Sequence, residues 1–86
     1  MIATFWGNAL KHTNGDKEFK TSSSSNLLSL IDELGEKYGA SFKEFLLGNE
    51  TCLIIVNGKG IQSTGGLHTP LNHNDKIDIL PFVSAG

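Results

Sequence analysis

Only one long stretch of this chain, Leu27 to Tyr38, repeats its apolar residues at helical spacing. Leu27, Ile31, Leu34 and Tyr38 form the stripe, Leu28 and Leu30 widen it, and Asp32, Glu33, Glu36 and Lys37 fall mostly on the other side. A single short helix is marginal in water and persists only when its stripe is covered. Most of the other apolar residues sit in brief runs of strand period, so the cover must be a sheet. The serine-rich run Thr21 to Ser25 stands just before the stripe, where hydroxyl oxygens can satisfy orphan amides, so one of Ser23 to Ser25 is expected to be the N-cap. Gly39 follows as the C-cap, and Ser41 to Leu47 reads as a second, shorter helical segment stopped at Gly48-Asn49.

The strands are legible from alternation and turn chemistry. Met1 to Trp6 is the first, with Met1, Ala3 and Phe5 inward and Ile2, Thr4 and Trp6 outward. An irregular loop from Gly7 to Gly15 leads to a short second strand at Lys17 to Lys20, with Phe19 inward. Cys52 to Val56 is the most apolar run, and its brevity and β-branched content predict a strand inside the sheet, covered on both sides. Asn57-Gly58 predicts a type I′ hairpin into a fourth strand, Lys59 to Gln62. A loop punctuated by Gly65-Gly66, Pro70 and Asn72 to Asn74 follows, with Leu71 as its buried plug. Ile77, Ile79 and Pro81 alternate with Lys76, Asp78 and Leu80 in the last strand, and Pro81, which has no amide hydrogen, ends it.

Strand, strand, helix, strand, strand, strand with one main helix is the order of a β-grasp fold. The expected class is α+β: a mixed sheet of four or five strands packed on one main helix, its last strand beside its first. The expected organisation is one β-grasp domain over residues 1–81 and a flexible tail over 82–86. Eighty-six residues allow one modest core. A net charge of -2, with seven lysines and no arginine, argues against nucleic-acid binding. No apolar run is long enough to span a bilayer, and Cys52 is the sole cysteine, so a soluble chain in the reducing cytoplasm is expected.

The chemistry points to the tail. Phe82-Val83-Ser84-Ala85-Gly86 must project from the end of an anchored strand, and its one reactive group is the α-carboxylate of Gly86. Elsewhere the signals are bland. Cys52 reads as a buried small hydrophobe, His12, His68 and His73 as solvated loop residues without metal spacing, and Asp32, Glu33 and Glu36 as a solvated helix face. Gly58-Lys59-Gly60 lacks the flanking residues of a phosphate loop and is a hairpin. No metal site and no bound cofactor are expected.

The segment Val56-Asn57-Gly58, then Leu71, then Asn74-Asp75-Lys76-Ile77 running into Leu80-Pro81-Phe82-Val83-Ser84-Ala85-Gly86, resembles the ubiquitin-like sulfur carriers. Within them it is most similar to the small subunit of molybdopterin synthase and its archaeal modifier-like relatives, over essentially the whole chain. Gly86 falls on the family's last glycine, and Ala85 stands where the other glycine is expected. The resemblance implies a carrier without an active site of its own. An E1-like adenylating enzyme would use MgATP to activate the Gly86 carboxylate, which a sulfur donor would convert to a thiocarboxylate. The charged tail would then enter a large synthase subunit or another sulfur acceptor, most naturally in molybdenum or tungsten cofactor (molybdopterin) biosynthesis. Trp6, Leu80 and Phe82 on the open sheet face, with Val83, Ser84 and Ala85, would be the partner-binding residues. Two alternatives stay open: a protein modifier conjugated to lysines, and a non-covalent ubiquitin-like binding module.

Overall fold

The computed structural model describes residues 1–48 and 52–81. Its strands are β1 (Ile2–Phe5), β2 (Glu18–Lys20), β3 (Cys52–Val56), β4 (Lys59–Gly60) and β5 (Lys76–Pro81), and its helices α1 (Ala9–His12), α2 (Leu27–Tyr38) and α3 (Ala40–Leu47). The five strands form one sheet in the order β2-β1-β5-β3-β4. β1 and β5 pair in parallel at the centre, Phe5 opposite Ile79, and the other pairings are antiparallel. This is the β-grasp arrangement, with the last strand beside the first.

One face of the sheet is the core wall. Ala3, Phe5, Ile54, Val56, Ile77 and Ile79 are buried against Leu27, Leu30, Ile31 and Leu34 of α2 and Phe42 and Leu46 of α3. Met1, Ala3 and Phe5 point inward and Ile2 and Trp6 outward, as alternation required, and Leu71 plugs the loop before β5. Asn57 and Gly58 both adopt positive φ, 52° and 83°, the signature of the expected hairpin turn. No helix among the described residues is long and apolar enough to cross a membrane.

Five local expectations are corrected. The N-cap of α2 is Asn26, whose side chain accepts from the Ser29 amide at 2.8 Å, and not a serine. The hydroxyls are committed elsewhere: Thr21 and Ser24 donate to the Glu33 carboxylate at 2.7 and 2.6 Å, and Ser23 donates at 3.3 Å. Glu33 is therefore a clamp between the β2–α2 loop and the helix, not a solvated charge. Strand β3 is inside the sheet but covered on one side only, since Leu53 and Ile55 remain half-buried on the open face. The fourth strand stops at Gly60, where a 3-10 turn over Ile61–Ser63 takes the chain off the edge. His12 is half-buried, its ring 5.5 Å from that of Phe42 and 4.8 Å from that of Phe45, so it is an aromatic packing partner.

The Glu33 clamp makes stability depend on pH. Partial burial works to raise its pKa, but the hydrogen bonds from Ser24, Thr21 and Ser23 outweigh that effect, and the net displacement is below the ordinary 4.5. A depressed folded-state pKa means that the contribution is complete above the unfolded value and is lost as pH falls through the folded one. Urea midpoints of wild type and Glu33→Gln should therefore differ at neutral pH and converge on acidification. A constant gap would rule out the charged clamp.

Candidate functional site

β5 anchors the end of the chain. β1 flanks it from Lys76 to Ile79 and β3 from Ile77 to Pro81, and its last residue, Pro81, lies opposite Cys52. On the β1 side the Trp6 amide donates to Ile79 O at 2.9 Å, carrying the contact one step beyond the Phe5–Ile79 pair. The chain then turns at Gly7, with φ +56°, and runs against the proline ring. A Cβ at Gly7 would lie 2.8 Å from Pro81 Cγ and 3.0 Å from Cδ, so glycine is required by both conformation and space. Pro81 is thus held from both sides at the point where residues 82–86 begin.

The open face of the sheet surrounds this point. Trp6 is 49% exposed, and its indole Nε1–H donates to Asp78 Oδ1 at 3.1 Å. Leu80 is half-buried beside it, and Leu53 of β3 sits opposite Leu80. Trp6, Leu80 and Leu53 therefore make an apolar row across the sheet at the tail end. Of the three, Trp6 is the exposed one, and Leu80 and Leu53 are half-buried.

Of the residues the sequence pointed to, Trp6 and Leu80 come together here, while Phe82, Val83, Ser84, Ala85 and Gly86 lie outside the described residues. Sequence reasoning missed Asp78, Gly7 and Leu53. Asp78 had a readable signal, since it occupies the same outward phase of β5 as Leu80. Cys52 is buried, its thiol donating to Phe45 O at 3.3 Å, and burial pushes its pKa up to about 11. It is a poor nucleophile. Among the described residues no group of three or more His, Cys, Asp and Glu side chains comes together to hold a metal.

The pattern that defines the ThiS family matches residues 4–86, nearly the entire chain. The chain belongs to the ThiS family. This ThiS-family protein is accordingly a ubiquitin-like sulfur carrier with the β-grasp fold. It is similar to a chain of the BexX/CysO complex from Amycolatopsis orientalis, at 25% identity over 99% of this chain and 98% of that one, with a TM-score of 0.82. The small archaeal modifier protein SAMP1 from Methanosarcina acetivorans is 26% identical over 99% and 94%, TM-score 0.76. A chain of the complex of subunits 1 and 2 of molybdopterin-converting factor from Helicobacter pylori is 29% identical over 99% and 96%, TM-score 0.65. No curated protein matches the sequence. The ThiS-family assignment agrees with the described geometry, in which the last strand of a β-grasp sheet runs to Pro81.

Proposed function

We propose that this protein carries sulfur as a thiocarboxylate on Gly86, activated by an E1-like adenylating enzyme, and delivers it to a large synthase subunit in molybdopterin biosynthesis. The observation that carries the reading is the anchoring of β5 up to Pro81, with residues 82–86 beyond it inside the span matched by the family. The chemistry balances without a change of oxidation state. A Gly86 carboxylate oxygen attacks the α-phosphorus of MgATP and pyrophosphate leaves. Hydrosulfide then attacks the acyl carbon, the new C–S bond replaces the C–O bond to phosphate, and AMP departs. A carboxylate alone is too poor an electrophile for that exchange, which is why an adenylating partner is needed. MgATP belongs to that partner.

The apolar row of Trp6, Leu80 and Leu53 gives the partner its footing beside the tail, and Phe82, Val83, Ser84 and Ala85 continue toward the reacting group. The 29% identity to a chain of the molybdopterin-converting complex supports that acceptor. The 26% identity to a small archaeal modifier favours a second reading, in which the same activated Gly86 is transferred to lysines of target proteins.

Intact-mass measurement tests the proposal. After incubation with the E1-like enzyme, MgATP and sulfide, the protein should gain the mass difference between sulfur and oxygen, and a chain lacking Gly86 should not. An unchanged mass beside an activated control carrier ending in two glycines would refute it. Higher-mass lysine conjugates that vanish without Gly86 would instead establish the modifier.

A further inference from the structure

The open face is banded by charge. Cross-strand register places Trp6, Leu80 and Leu53 at the tail end, Glu18, Thr4, Asp78 and the half-buried Ile55 in the next row, and Lys20, Ile2 and Lys76 at the far end. Successive rows are two residues apart along the strands, about 7 Å, which is within the Debye length of about 8 Å at physiological ionic strength. A docking group in contact with one row therefore feels that row most strongly by proximity and still senses the charge of the next.

Within the acidic row the two carboxylates differ. Glu18 already lies 3.8 Å from Lys20 Nζ, both side chains being largely exposed. Asp78 is half-buried and uses Oδ1 to hold the Trp6 indole, while Oδ2 has no hydrogen-bond or charged partner among the described residues. An exposed indole is thus fixed beside a carboxylate with one oxygen to spare.

We infer that Trp6 and Asp78 form a receptor for an arginine side chain of the partner protein. A guanidinium laid over the indole gains cation–π attraction while its N–H edge reaches Asp78 Oδ2. Both contacts are available to one planar group at once, and a lysine ammonium, as a point charge, satisfies them less well. The banding also fixes orientation. Lys76 repels the cation at the far end, so the partner's apolar surface must extend from the arginine toward Leu80, Leu53 and residues 82–86. This inference rests on the carrier reading, because the partner it orients is the one that acts on Gly86.

The test is steady-state activation by the E1-like adenylating enzyme, with thermal unfolding checked for every variant. Asp78→Asn keeps an acceptor for the indole but removes the charge, and it should raise KM about tenfold at unchanged kcat, the scale of one charge-assisted contact. It should also flatten the dependence of KM on salt. Trp6→Phe should raise KM by a smaller factor, having a weaker quadrupole and no N–H. Glu36→Gln, the same charge change on an exposed turn of α2, should leave KM within about twofold. In the enzyme, one surface arginine changed to lysine should reproduce the Asp78→Asn effect, and the two changes together should add little. An activated wild type with Asp78→Asn indistinguishable from Glu36→Gln would overturn the arginine receptor alone. A wild type that no such enzyme activates would overturn the carrier reading and this inference with it.

Discussion

Replacing Phe42 by alanine should lower the unfolding free energy by about 3–5 kcal/mol. Phe42 is 0% exposed and is the hub of the aromatic cluster that docks α3. Its ring meets those of Phe5 and Tyr38 edge-on, with centroids 5.6 and 5.7 Å away, and stacks near His12 at 5.5 Å and Phe45 at 6.1 Å. Truncation removes these contacts and leaves a void that flanking side chains cannot close, since Phe5 is fixed in β1 and Tyr38 is tethered through its hydroxyl to Asp16 at 3.0 Å. A domain of this size has a total stability of only about 4–13 kcal/mol. The variant should therefore be largely unfolded at temperatures where wild type is intact. Urea denaturation followed by circular dichroism reads the change, with Phe42→Leu as a milder companion. A loss below about 1 kcal/mol would mean that α3 does not pack on β1 as described.

How far the sequence reached can be judged residue by residue. The inward set of β1 and β5 and the stripe of α2 were legible because period and burial coincide when one face is covered. The Asn57-Gly58 turn was legible because two consecutive positive φ values leave few residue choices. Asn26 was not, since a run of serines offers the same capping chemistry and only the position of Glu33, on the second turn of α2, draws those hydroxyls aside. Helix α1 was hidden for another reason: four residues, good helix formers among them, are too few to show a helical period or to hold a helix without the burial of Ala9. At the site, Trp6 and Leu80 followed from alternation, but the Trp6–Asp78 bond joins residues 72 positions apart and needs the parallel pairing of β1 with β5. No local pattern carries that information.

Gly7→Ala should cost about 2–5 kcal/mol, and its effect on activation should exceed its effect on folding. Alanine at φ +56° is held in a left-handed conformation that disfavours it by about 1–2 kcal/mol. Its Cβ would also meet Pro81 Cγ at 2.8 Å, and relieving such overlap adds about 1–3 kcal/mol. Something must move, and the turn after β1 is tied down by the Trp6 amide on Ile79 O and by the burial of Ala9. The end of β5 is the softer side, because Pro81 has no amide hydrogen with which to hold its place in the ladder. Yielding there displaces Pro81 relative to Trp6, and on the proposed carrier reading a partner that engages both the Trp6 face and Gly86 would lose one of the two contacts. Pro81→Ala removes the ring that the new methyl strikes. A double-mutant cycle in urea should then show Gly7→Ala less costly on the Pro81→Ala background by roughly the overlap energy. Activation kinetics below the unfolding transition should show the same rescue. Strict additivity in both measurements would mean that Gly7 serves only its own turn and leaves the direction of the tail untouched.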